Sequence, residues 1–100
     1  RVICAFQPHT YSRTKALFAD FVDELRTVDQ AVLTDIYAAR EQNTAGVSSQ
    51  DLANEIPGSV YCPSLQSVTE YLRQTAQPGD IILTVGAGDI YKAGESLLKK

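Results

Sequence analysis

The residues of this chain best equipped for chemistry are His9, its only histidine, and Arg13, one helical turn further on. Both fall in the stretch Phe6, Gln7, Pro8, His9, Thr10, Tyr11, Ser12, Arg13, Thr14. A guanidinium offers a planar fork of donors to a carboxylate or a phosphate. On the first turn of a helix, a cation opposes the dipole and gains nothing from it. That placement points to an anionic partner for Arg13, although a solvated arginine accounts for the same residue.

Such a cluster needs elements to hold it. Val2 to Phe6 is an apolar run with the length and β-branched content of a buried strand, and helical periodicity begins at Tyr11. Pro8 lacks a backbone donor, so the strand stops there. His9, Thr10 and Arg13 are then expected at the carboxyl end of a strand and the start of a helix. Unpaired N–H groups and the helix dipole favour an anion at that point, and ligands of open α/β sheets bind along that edge.

The rest of the chain alternates in the same way. Leu17, Phe18, Phe21, Val22 and Leu25 form one apolar helical stripe, and Ala31 to Thr34 reads as a second short buried strand. A long connection from Asp35 to Val47 leaves from the carboxyl end of that strand, and loops of this length are often functional. Ser48, with Asp51 in the capping-box position, opens a short helix that Pro57 and Gly58 stop. Ser59 to Cys62 reads as a third strand, and Ser64 caps a helix through Leu65, Val68 and Leu72. Ile81 to Val85 is the most apolar strand and is expected centrally, beside the first. Gly86 to Asp89 then opens a last helix, Ile90 to Lys99. The fold class is α/β: a Rossmann-like three-layer domain, its parallel sheet of four strands in the order 3-2-1-4 with helices on both faces.

Composition narrows the function. One hundred residues make one small domain, with 9 basic and 12 acidic side chains interspersed and a net charge of -3. No basic stripe marks a nucleic-acid surface. No apolar run approaches the ~20 residues that span a bilayer, so the chain reads as soluble and cytoplasmic. Cys4 and Cys62 lie in apolar runs and read as buried thiols. There is no metal-ligand spacing, no P-loop and no nucleophile elbow. The chain starts abruptly at a strand and reads as a piece of a longer polypeptide, unlikely to be a complete enzyme.

Two further segments belong at the same sheet edge. Gly86, Ala87 and Gly88 resemble the start of a dinucleotide fingerprint, but the third glycine is missing and Asp89 brings negative charge. A tight strand-to-helix turn, with Asp89 as N-cap and Gly88 at a close backbone approach, explains them without a ligand. Tyr37, Arg40 and Glu41 form a mixed polar loop, which composition alone assigns to the surface.

Taken together, the Phe6–Thr14 corner, the segment Thr34, Asp35, Ile36, Tyr37, Ala38, Ala39, Arg40, Glu41, and the turn Gly86 to Ile90 resemble the carboxy-terminal domain of the Mur ligases. The resemblance covers essentially residues 1–100 and implies an enzyme whose UDP-sugar and ATPase domains lie upstream. It implies a cytoplasmic ligase of peptidoglycan precursor synthesis that uses ATP and Mg2+, bound mainly by the central domain. The carboxylate of UDP-N-acetylmuramate is activated as an acyl phosphate, and the amine of L-alanine attacks it. This domain would bind the amino acid and close the site, holding no catalytic residue and no metal ligand of its own. His9, Thr10 and Arg13 match the substrate-binding positions, with Arg13 on the alanine carboxylate. Tyr37, Arg40, Glu41, Gly86, Gly88 and Asp89 would line the site. A ligase that recycles murein tripeptide, or a non-catalytic anion-binding α/β module, are the alternatives.

Overall fold

The computed structural model describes residues 1–86 and 90–98. The elements, in chain order, are β1 (Val2–Gln7), α1 (Tyr11–Ala16), α2 (Phe18–Leu25), β2 (Gln30–Leu33), α3 (Ser49–Glu55), β3 (Val60–Tyr61), α4 (Leu65–Thr75), β4 (Ile81–Gly86) and α5 (Tyr91–Leu98). The strands form one parallel sheet in the order β3-β2-β1-β4, as expected.

β1 is apolar throughout because both of its faces are covered. Ile3 and Ala5, with Val32 of β2, pack against Val68 and Leu72 of α4 and against Ile90 and Ala93. Cys4 and Phe6, with Ala31 and Leu33, face the opposite layer, where Val22 and Leu25 of α2 meet Leu52 and Ile56. Alternate residues of one strand thus feed two cores, which makes three layers. Each fully buried Leu or Ile contributes about 1.5–3 kcal/mol. Cys4 and Cys62 are buried free thiols, and burial raises the pKa of both.

The two predicted caps form. Ser48 and Asp51 make a reciprocal capping box on α3, and Ser64 does the same with Ser67 on α4.

Three expectations change. Ile81 to Val85 is not central: β4 pairs with β1 alone and forms an edge of the sheet. Ile81, Leu83 and Val85 are 57%, 43% and 45% exposed. Apolar content reports that a strand packs on something, not on how many sides, and among the described residues only the Ile82–Thr84 face of β4 packs on α5. The first helix is not continuous, because Leu17, at φ -107° and ψ 16°, separates α1 from α2 and stays in solvent instead of joining the buried stripe. Strand limits also move by a residue: β2 begins at Gln30 and β3 shortens to Val60–Tyr61.

Candidate functional site at the carboxyl edge of the sheet

The Phe6–Thr14 corner forms where β1 gives way to α1, and its backbone is unusual. Thr10 is the N-cap of α1 at φ 59° and ψ 151°, a conformation that a β-branched residue rarely adopts. Its neighbours hold it there. The Thr10 amide donates to the carbonyl of Tyr37 at 2.8 Å, and its carbonyl accepts from the Thr14 amide at 3.2 Å and the Thr14 hydroxyl at 2.7 Å. Its own hydroxyl accepts from the Arg13 amide at 3.3 Å. Such a residue costs on the order of 1–3 kcal/mol and persists only where the surroundings over-determine it.

The Asp35–Glu41 segment is the other half of the site, docked against the corner. The amide of Tyr37 donates to the Pro8 carbonyl at 2.9 Å, so His9 and Tyr37 form a parallel bridge that extends the sheet beyond its strands. Ala39 and Arg40 then both take positive φ, 51° and 74°, and the Glu41 amide closes the turn on the Ala38 carbonyl at 2.9 Å. Two left-handed residues in succession reverse the chain tightly. Glu41 is thereby returned to the amino terminus of α1. Its Oε1 accepts from the amides of Tyr11 and Ser12 at 2.9 and 3.0 Å, and its Oε2 accepts from the Ser12 hydroxyl at 2.6 Å. The Ser12 hydroxyl, followed by the two amides, holds the carboxyl of Glu41 below its ordinary pKa.

This overturns one expectation. The first amides of α1 are not open to an external anion, because Glu41 and Thr10 occupy them. What the corner offers instead is a side chain. Arg13 places Nη1 3.4 Å from Nδ1 of His9, and no carboxylate among the described residues pairs with it. A guanidinium can only donate, so this contact requires His9 with Nδ1 unprotonated and the proton on Nε2. His9 is further fixed by Tyr37, whose ring stacks on it at 5.7 Å with a 13° interplanar angle.

The structure therefore brings His9, Thr10, Arg13, Tyr37 and Glu41 together. Arg40 lies in the same turn, exposed to solvent. Gly86 ends β4 opposite Gln7, and a Cβ there would stand 2.7 Å from the Gln7 carbonyl oxygen. Gly88 and Asp89, expected as a close approach and an N-cap, lie outside the described residues.

Sequence reading missed three residues that hold this edge. The buried Gln7 side chain accepts from the Ile90 amide at 3.1 Å, tying the corner to the residue that precedes α5. The only sign in the sequence was a polar residue at the end of an apolar strand. Tyr61 donates a short hydrogen bond to Asp35, which with burial pushes the phenol up to about 12. Beside it, the buried hydroxyl of Ser49 donates to the carbonyl of Thr34, anchoring the base of the Asp35–Glu41 segment.

A four-stranded parallel sheet between two helical layers defines a Rossmann-like α/β domain. Residues 1–88 match the family described as Mur ligase, glutamate ligase domain, and the chain belongs to that family. Over 103 residues it is 50% identical to UDP-N-acetylmuramate--L-alanine ligase of Lachnospira eligens, covering 99% of this chain and 22% of that protein. Over 104 residues it is 47% identical to the ligase of the same name from Caldanaerobacter subterraneus subsp. tengcongensis, covering 100% of this chain and 23% of that protein. The Clostridium tetani ligase is 47% identical over 103 residues, 99% of this chain and 23% of that protein. The chain thus spans less than a quarter of the length of the curated relatives it matches.

Proposed function

We propose that this chain is the amino-acid-binding and site-closing domain of an ATP-dependent ligase that joins L-alanine to UDP-N-acetylmuramate in peptidoglycan precursor synthesis. The observation that carries the reading is Arg13, a guanidinium at the carboxyl edge of the sheet with no carboxylate partner among the described residues. In this reading Arg13 holds the carboxylate of L-alanine through a charge-assisted fork. His9, with Nδ1 turned to Arg13, sets the guanidinium's direction. The fixed carboxylate leaves the amine free to attack an acyl phosphate formed on the muramyl carboxylate.

Among the described residues no group of three or more His, Cys, Asp or Glu could hold a metal ion, and the sequence contains no P-loop. This reading places ATP and Mg2+ mainly outside the chain. No helix among the described residues is long and apolar enough to cross a membrane. The reaction is assigned to the cytoplasm, where UDP-linked precursors would be made and would serve cell-wall growth, cell shape and division.

The test is phosphate release by the full-length protein supplied with ATP, Mg2+, UDP-N-acetylmuramate and L-alanine. Release should rise with L-alanine to saturation, and the 100-residue chain alone should give none above background. Release from the full-length protein that is indifferent to L-alanine would sink the proposal.

A further inference from the structure

The Glu41 carboxylate reaches across 29 residues of sequence to fill the first turn of α1 with three hydrogen bonds. A cap usually comes from the residue at the helix start, and here Thr10 already caps the Arg13 amide. Glu41 does something a local cap cannot: it bolts the Asp35–Glu41 segment to the helix that carries Arg13. The route to that bolt is unfavourable. Ala39 and Arg40 both adopt left-handed backbone to deliver the carboxylate, and Thr10 is held at positive φ on the other side of the joint. Three non-glycine residues in such conformations around one carboxylate mark a joint whose geometry, rather than its bare stability, is what is maintained.

We infer that Glu41 is the positioning residue of the anion site, fixing the direction of Arg13 and the seat of His9 from behind. Its two amide bonds set the orientation of the first turn of α1, and that turn decides where the Arg13 side chain leaves the helix. The same loop carries Tyr37, whose ring and backbone hold His9. Glu41 also fills the α1 amides, so the ligand carboxylate is left to the guanidinium alone. This inference rests on the proposed role of Arg13 in binding L-alanine.

Geometry and charge can be separated by three variants of the full-length protein. Glu41→Gln keeps an acceptor oxygen at full reach for the Tyr11 and Ser12 amides but carries no charge. Glu41→Asp keeps the charge but is one methylene too short. Glu41→Ala keeps neither. Misplacing a binding group by about 1 Å can cost up to ~100-fold, so Glu41→Ala should raise KM for L-alanine about tenfold or more. Glu41→Asp should raise it several-fold and Glu41→Gln least, with KM for ATP unchanged in all three. Amide exchange at Tyr11 and Ser12 should quicken in Glu41→Ala and stay slow in Glu41→Gln. Should Glu41→Ala not fold, the comparison of Glu41→Asp with Glu41→Gln decides alone. Equal KM values for those two, a lowered KM in Glu41→Gln, or exchange that does not respond to Glu41→Ala would overturn the inference. These outcomes differ from failure of the functional proposal, in which the unaltered protein itself shows no saturation by L-alanine.

Discussion

The imidazole of His9 lies nearly parallel to the phenol ring of Tyr37, with centroids 5.7 Å apart, and the two residues are also joined as a backbone bridge. Ring and main chain thus hold the same pair twice. The hydroxyl of Tyr37 has no part in either contact. Tyr37→Phe should leave thermal stability unchanged, whereas Tyr37→Ala should cost about 0.5–1.5 kcal/mol, the worth of an aromatic pair. Thermal denaturation of both variants checks this, and an equal loss in both would show that the hydroxyl, not the stack, matters.

Arg13 makes the sharpest functional prediction. If Arg13 holds the carboxylate of L-alanine as proposed, Arg13→Ala should remove a charge-assisted pair worth on the order of 1.5–3 kcal/mol, a roughly tenfold to hundredfold loss in kcat/KM for L-alanine. KM for ATP should barely move. Arg13→Lys should recover only part of the loss, since an ammonium keeps the charge but not the fork. Steady-state kinetics with each substrate varied in turn would decide. A raised KM for ATP with an unchanged KM for L-alanine would reassign Arg13 to the nucleotide.

Gly86 has a steric explanation that requires no ligand. At φ 154° it faces the Gln7 carbonyl, and an added Cβ would also stand 3.1 Å from Gln7 Cβ and from Ile90 Cγ2. Gly86→Ala should therefore destabilise the protein by about 1–3 kcal/mol, as over-packing does. Because Gln7 also accepts from the Ile90 amide, Gln7→Leu should lower stability too, by about 1–3 kcal/mol for the amide left without its partner. Denaturant midpoints test both. Unchanged midpoints with lost activity would instead make this turn a ligand contact.

Tyr61 titrates out of its usual range, and the sign follows from the direction of the shift. The phenol is raised from 10 to about 12 by its bond to Asp35, so the folded protein holds this proton more tightly than the unfolded chain. The stabilisation is complete below pH 10 and is lost as pH rises from there towards 12. Ultraviolet titration of the unaltered protein against Tyr61→Phe should isolate a phenol ionising near 12. Asp35→Asn should bring that ionisation back towards 10, and a titration unmoved by this change would refute the pairing.

Several parts of the molecule could be read from the sequence because their causes are local. The apolar run of β1 signals burial on both faces, the stripe through Phe21, Val22 and Leu25 signals a helix, and Ser48 and Ser64 announce their own capping boxes. Alternation of strands and helices pointed to a parallel sheet, and the order expected for it is the one found. Pro8, next to the only histidine, located the corner itself.

What the tertiary structure decided involves partners distant in sequence or faces left uncovered. Ile81, Leu83 and Val85 have the composition of a central strand, and only the arrangement of helices shows one of their faces open at the sheet edge. Leu17 fits the helical stripe by spacing, but the backbone turns at that residue. No pattern in the sequence announces that Glu41 would fill the amides of Tyr11 and Ser12, that Gln7 would reach Ile90, or that Tyr61 would donate to Asp35. A hydrogen bond between distant residues depends on where the fold brings them, and periodicity reports only each residue's own neighbourhood. For that reason the sequence could mark the end of β1 as a polar corner, while only the structure shows that the first amides of α1 are taken by Glu41 and Thr10.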